Sequence, residues 1–173
     1  MRVVAGELRG RRLKAPSGTA VRPTSDRARE ALFSILGDVS GADVCDLFCG
    51  TGALGIEALS RGARHAVMVD DDTSPVQANV DSLGISDRVD VVRRDAFTYL
   101  GAATDTFDLI LCDPPYTLAA RVARDLEKLV PARLREGGRL VTESSSRSPI
   151  ELNLKLDEDR VYGEASLRIW SLG

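Results

Sequence analysis

Residues 109–116, LILCDPPY, carry an apolar run into Asp113-Pro114-Pro115-Tyr116. Neither proline donates an N–H, and Pro114 keeps Asp113 out of the helical region. The spacing predicts a stiff corner that presents carbonyl oxygens and one carboxylate as acceptors, with the flat ring of Tyr116 beside them. Such a corner suits a planar exocyclic amine, whose nitrogen lone pair is delocalised into its ring. Hydrogen bonds from that NH₂ to the Asp113 carboxylate and the Pro114 carbonyl draw the nitrogen toward tetrahedral geometry. They also lower the cost of positive charge developing on it. Tyr116 stacks on the base, and an amine on a paired base must be flipped out to arrive there.

A second constellation is Gly50-Thr51-Gly52-Ala53-Leu54-Gly55, a G-x-G-x-x-G turn between an apolar run and a helix-like run. That spacing serves any ligand that approaches the backbone closely, so the flanking residues must choose the ligand. Asp46 stands four residues before Gly50. A dinucleotide would bring a pyrophosphate to this helix N-terminus. Like charges ~4 Å apart at an effective dielectric near 20 repel by up to about 4 kcal/mol. S-adenosylmethionine instead brings an ammonium and a sulfonium, which an anionic loop attracts. The same charge argument disfavours an NAD-dependent oxidoreductase.

Two further carboxylates extend the set. Asp70, twenty residues after Gly50, can accept from both ribose hydroxyls. It opens a triple acid, Asp70-Asp71-Asp72, so Asp72 is the alternative ribose ligand. Asp95 precedes Ala96 and Phe97 and can accept from an adenine amino group, with an apolar neighbour against the ring. It can also cap the helix that follows; the two roles are compatible.

These residues need a scaffold that brings them to one place. From residue 43 the pattern is strand, turn, helix, repeated: Val44 to Phe48, Ala53 to Ser60, AVMVD, TSPVQANVDSLG, RVDVVRRD, AFTYL, FDLILCDPPY, AARVARDLEKLV and GGRLVTESS. Continuous apolar strands between helices imply a mainly parallel sheet covered on both faces. Ligands in such sheets sit beyond the carboxyl ends of the strands. Asp46, Asp70, Asp95 and Asp113 all fall at strand ends. The tail alternates on either side of Tyr162-Gly163-Glu164, like a closing hairpin. Before the sheet, RPTSDRAREALFSIL reads as a helix capped by Ser25 or Thr24 and ended by Gly37.

At 173 residues the chain fits one domain with a small extension. Its three cysteines, Cys45, Cys49 and Cys112, form no C-x-x-C pair and suit buried apolar positions; with one histidine, no metal site is expected. No long apolar run or signal-peptide pattern is present, so a cytoplasmic protein without membrane contact is expected. Net charge is −3, yet residues 1–30 carry eight basic and three acidic side chains. That head is +5 and the remainder −8. The opening MRVVAGELRGRRLKAP reads as a basic β-hairpin or arm that meets a polyanion.

With these residues in hand, the sequence resembles a class I S-adenosylmethionine-dependent amino-methyltransferase. More narrowly it resembles the RsmD-type family, which methylates guanine N2 in bacterial 16S ribosomal RNA. The resemblance spans nearly the whole chain through RVVAGELRGRRL, RPTSDRAREALF, DLFCGTGALGIEALSRGA and DPPY. It implies a Rossmann-like α/β fold with a mainly parallel seven-stranded sheet, an antiparallel C-terminal hairpin and an N-terminal β-hairpin extension. It implies an RNA arm over residues 1–20 and a methyltransferase domain over 21–173. By the same resemblance, Asp46, Phe48, Gly50 and Gly52 hold the methionine side of the cofactor. Thr24 and Arg27 close over that end, Asp70 holds the ribose, Asp71 joins the cofactor-binding residues, and Asp95 and Ala96 hold adenine. Asp113, Pro114, Pro115 and Tyr116 are catalytic, and Arg2, Arg9, Arg11, Arg12 and Lys14 grip RNA phosphates. The implied partner is 16S rRNA within an assembled or partly assembled small ribosomal subunit, met by a monomer. Amines of other substrates suit the same corner, so a DNA adenine-N6 or protein glutamine-N5 methyltransferase stays open. A non-catalytic RNA-binding ribosome-assembly factor is the reading from another class.

Overall fold

A computed structural model describes residues 1–15 and 25–173. Five strands run parallel: β1 (Asp43–Leu47), β2 (His65–Asp70), β3 (Val89–Arg93), β4 (Phe107–Cys112) and β5 (Leu134–Ser145). β6 (Lys155–Tyr162) and β7 (Ala165–Ser171) form the closing hairpin, with β7 antiparallel to β5. The order across the sheet is β3-β2-β1-β4-β5-β7-β6. The chain builds outward from β1 in one direction, then reverses at β4. The resulting crevice lies between the carboxyl ends of β1 and β4, where α/β sheets bind ligands.

The apolar runs form strands because both faces are covered. Along β4, Leu109 and Leu111 join the core on one face, and Ile110 and Cys112 the core on the other. The first face receives α1 (Asp26–Leu36), α2 (Ala53–Ser60) and α3 (Ser74–Leu83); the second receives α4 (Ala96–Ala102) and α5 (Ala119–Leu129). Ser25 caps α1, its side chain accepting the Ala28 N–H at 3.1 Å, and Gly37 ends it. All three cysteines are free and buried. No helix of the described residues is long and apolar enough to cross a membrane.

β5 starts at Leu134, three residues before the glycine pair that marks its start in the sequence. Its pairing with β4 jumps from Phe107–Leu134 to Leu109–Arg139, so Arg135–Gly138 bulges from the ladder. Arg135 holds the bulge down by ion pairs to Asp43 at 2.8 Å and Asp108 at 2.6 Å.

The arm is a hairpin closed by one antiparallel bridge, Arg2 to Arg12. It is seated on the body rather than projecting from it. Val3, Leu8 and Leu13 enter the first core. The N–H groups of Val4 and Ala5 donate to the fully buried Glu57 carboxylate at 2.8 and 3.0 Å. Glu57 is also paired with Arg61 at 2.8 Å and faces the buried Arg29 at 3.5 Å, while Arg29 donates to the Arg2 carbonyl. A buried carboxylate with several donors is held where an unpaired one would be expelled.

Candidate active site

The carboxyl ends of four parallel strands bring the sequence-predicted residues to one edge. Leu47 on β1 pairs with Val69 on β2 and Cys112 on β4, and Asp70 pairs with Arg93 on β3. Neighbouring strands lie ~4.8 Å apart, so the edge from β3 to β4 spans about 14 Å. Along it stand Asp95, Asp70, the glycine turn and Asp113, in that order.

The turn after β1 is strained and tightly tied. Phe48 sits at φ 60°, the one non-glycine residue with positive φ among the described residues. A left-handed non-glycine costs about 1–3 kcal/mol and persists only where its surroundings enforce it. Here the Phe48 ring packs edge-on against Phe97 at 5.6 Å, which links the β1 loop to α4. Gly50 and Gly52 follow at φ 52° and 78°, and the Gly50 N–H donates to Asp70 at 2.9 Å. A Cβ on Gly50 would meet nothing within 4 Å, so the turn faces open space there. Gly55 serves packing instead: its Cβ would stand 2.8 Å from Met68 and 3.0 Å from Asp46.

Asp46 is buried beneath this turn. Its Oδ2 accepts the Gly55 N–H at 2.9 Å, and its Oδ1 has no hydrogen-bond partner. Burial, with a smaller push from the Asp70 charge, raises its pKa to about 7 against the pull of the Gly55 N–H. An orphaned carboxylate oxygen beneath an open glycine turn fits a cationic ligand.

The other acids have defined tasks. Asp70 accepts from Gly50 through one oxygen and from the Asp72 N–H, at 3.1 Å, through the other. Each oxygen keeps a second lone pair for a ligand hydroxyl. Asp72 accepts both the N–H and the hydroxyl of Ser74 at the start of α3, and those bonds hold its pKa down. Asp72, the alternative ribose ligand, makes both of these bonds through Oδ1. Asp71 is exposed, and its carbonyl takes the Arg93 Nε–H at 3.0 Å. Asp95 caps α4 by accepting the Thr98 N–H at 2.8 Å and its hydroxyl at 2.9 Å; the backbone bond leads in lowering its pKa. Its Oδ2 faces Arg121 at 3.8 Å. Ala96 is buried behind it.

After β4, Asp113 is half-buried, Pro114 buried, and Pro115 exposed with extended backbone at φ −54°, ψ 131°. The peptide bonds are trans throughout the described residues. Tyr116 is 45% exposed. Arg27 lies exposed on α1, and Thr24 falls outside the described residues. Arg2, Arg9, Arg11, Arg12 and Lys14 are all exposed. Arg11 donates to the Ser82 carbonyl at 3.0 Å, and Glu7 pairs with Arg88.

Two cavities lie elsewhere. One of about 450 Å³ sits along β3 beside Gln77, Asp90 and Tyr99, and one of about 270 Å³ lies at the opposite ends of the strands, beside Asp108 and Arg139. Neither touches the four acids, which line the sheet edge itself.

Residues 1–171 match the family described as "Conserved hypothetical protein 95". The chain belongs to that family. Ribosomal RNA small subunit methyltransferase D of Escherichia coli strain K12 is 30% identical over 182 residues, 98% of this chain and 89% of its own. A Bacillus subtilis protein, provisionally named as the rRNA methyltransferase YlbH, is 43% identical over 123 residues, 67% of each chain. The structure of a hypothetical protein from Thermus thermophilus, TTHA0928, superposes with a TM-score of 0.85 at 30% identity, covering 99% of both chains. The structure of an Escherichia coli protein, provisionally named as the methyltransferase yhhF, superposes with a TM-score of 0.83 at 30% identity over 98% of this chain, and the chain carries the class I methyltransferase fold that the resemblance implied.

Sequence reasoning missed Glu57, Ser60 and Asn79. Each is a polar residue at a buried position of an amphipathic or apolar helix, and that mismatch was the available signal.

Proposed function

We propose that this chain methylates the exocyclic N2 amine of a guanine in 16S ribosomal RNA, using S-adenosylmethionine. One observation carries the reading: a buried carboxylate with an orphaned oxygen, Asp46, lies beneath an open glycine turn one strand away from the Asp113-Pro114-Pro115-Tyr116 corner. The names of the relatives support the ribosomal substrate.

Residues 21–173 form the catalytic unit in this reading, and residues 1–20 the RNA arm. Asp46, Phe48, Gly50 and Gly52 hold the methionine end of the cofactor, with Thr24 and Arg27 closing over it. Asp70 holds the ribose, with Asp72 the alternative, Asp71 lies beside them in the cofactor site, and Asp95 and Ala96 hold the adenine. Bound there, the sulfonium supplies an electrophilic methyl carbon. Tyr116 stacks on the flipped guanine, while the Asp113 carboxylate and the Pro114 carbonyl accept the two N–H bonds of N2. Pro114 and Pro115 keep those acceptors from relaxing, so the amine arrives already shaped for in-line attack. The proton released from nitrogen leaves to Asp113 or to water. Arg2, Arg9, Arg11, Arg12 and Lys14 set the RNA on the enzyme through its phosphates, which position without specifying sequence.

The test is incubation with methyl-labelled S-adenosylmethionine and small ribosomal subunits, duplex DNA or a protein extract, followed by digestion and mass spectrometry. Label in N2-methylguanosine is expected. Label in N6-methyladenine or methylglutamine would move the substrate to DNA or protein. No cofactor heat in calorimetry would favour a non-catalytic assembly factor.

A further inference from the structure

Asn79 occupies an inward position of α3, on the face shared by Val76, Val80 and Leu83. Periodicity assigns that position to an apolar side chain. Asn79 is 1% exposed, and its amide is used in two directions. Toward the arm, Oδ1 accepts the Lys14 N–H at 2.8 Å and Nδ2 donates to the Lys14 carbonyl at 3.0 Å. Toward the site, Nδ2 donates to the carbonyl of Thr51 at 2.9 Å. Thr51 lies between the two glycines of the cofactor turn, Gly50 and Gly52. Both N–H bonds of one amide are therefore divided between the arm and the turn.

We propose that Asn79 is a positioning residue that couples the seating of the basic arm to the shape of the cofactor turn, so that RNA and cofactor strengthen each other's binding. The proposal rests on the functional reading above. A side-chain amide held through both its oxygen and its nitrogen by one backbone residue has a fixed plane. With Lys14 in place, the second N–H of Asn79 is aimed at the Thr51 carbonyl. With Lys14 gone, that plane is free to rotate, and the half-buried Thr51 carbonyl loses a donor. Gly50 and Gly52 have no side chains of their own to keep the turn in shape.

The direction of coupling follows from charge. Arg2, Arg9, Arg11, Arg12 and Lys14 repel one another in the seated arm, and Glu7, the one acid of residues 1–15, is committed to Arg88. A polyanion relieves that repulsion and favours the seated arm. The seated arm favours the formed turn. Linkage then requires the cofactor to raise RNA affinity by the same factor.

The experiment measures the affinity of S-adenosylhomocysteine by equilibrium dialysis, without and with small ribosomal subunits. For the wild type, the subunits should tighten binding roughly tenfold, within the range of ordinary allosteric coupling. In Asn79→Ala and Asn79→Asp that ratio should fall below about twofold. A merely structural role for Asn79 would lower the melting temperature and leave the ratio unchanged, and that result overturns the proposal. So does a wild-type ratio of one. If the wild type binds neither ligand, the functional reading fails by itself, and amide exchange of the free protein decides the linkage. Asn79→Asp should then speed exchange in peptides of residues 1–15 and 48–55 together; a change confined to the arm overturns it.

Discussion

A single hydrogen bond of 2.9 Å joins the Gly55 N–H to Asp46 Oδ2, and the other oxygen of that carboxylate is buried with nothing to accept. The bond ties the first turn of α2 to the end of β1, and the glycine allows the approach. The orphaned oxygen makes the free protein carry a cost that a cationic ligand would remove.

That cost sets a pH dependence. Burial first, and the Asp70 charge second, raise the Asp46 pKa from 3.8 to about 7. A raised carboxyl pKa gives the folded state a proton that the unfolded chain has lost. Its contribution to stability is complete below about pH 4 and is lost as pH rises through about 7. Without ligand, Asp46→Asn should therefore outlast the wild type in thermal melts at pH 8 and match it more closely at pH 5. A cation beside Asp46 favours the carboxylate. Cofactor binding to the wild type should tighten as pH rises through about 7, with proton release visible in calorimetry across buffers. Asp46→Asn should bind more weakly and without that proton. Identical binding profiles for the two proteins would remove Asp46 from the cofactor site.

Two glycines of the turn should respond differently. Ala at Gly55 places a Cβ 2.8 Å from Met68 and 3.0 Å from Asp46, so α2 must shift. Overpacking of this kind costs about 1–3 kcal/mol, and the Asp46 bond lengthens with it. Ala at Gly50 meets no atom but must hold φ 52°, which costs about 1–2 kcal/mol. Urea titration should show both losses. Direct loss of cofactor affinity should be the larger effect at Gly50, where the added methyl enters the open face of the turn.

At the corner after β4, the proposed function makes Asp113 an acceptor for the amine, so Asp113→Ala should remove that acceptor and leave the glycine turn untouched. Single-turnover methyl transfer should fall by about 100–1000-fold, the usual worth of one preorganised group. Cofactor affinity should stay within about twofold. A matching loss of cofactor affinity would make Asp113 a binding residue instead.

Removal of residues 1–15 is a blunt test of the arm, because it strips Val3, Leu8 and Leu13 from the core and uncovers Glu57. Burying each of those side chains stabilises by about 1.5–3 kcal/mol. Charge removal at Arg9 and Arg12, both exposed, is cleaner. The double alanine variant should weaken RNA binding and reduce its salt slope by about 0.7–0.9 for each phosphate that the arm no longer neutralises. Melting temperature should barely move. An unchanged salt slope would show that the arm's charge faces no phosphate.

The sheet was legible because its strands are apolar runs punctuated by glycine and proline, and a parallel sheet brings their carboxyl ends to one edge. Asp46, Asp70, Asp95 and Asp113 could be placed from that rule alone. The finer tasks were not legible. Asp72 reads as an acid in a row of three, and its work at Ser74 is a local turn chosen by the start of α3. Phe48 is a strand-favouring residue that adopts a left-handed conformation while its ring packs on Phe97. Glu57 takes its donors from residues 53 and 52 positions away, and Asn79 from one 65 away. Such partners leave no trace in local periodicity. The Arg135–Gly138 bulge depends in the same way on Asp43 and Asp108, far off in the chain.

The central claim meets its most direct test in nucleoside mass spectrometry of small-subunit RNA from cells lacking this gene, complemented with wild type or with Asp113→Ala. One N2-methylguanosine should vanish with the gene, return with the wild type and stay absent with the variant. Undiminished N2-methylguanosine in the deletion strain, or its full return with Asp113→Ala, would contradict the account.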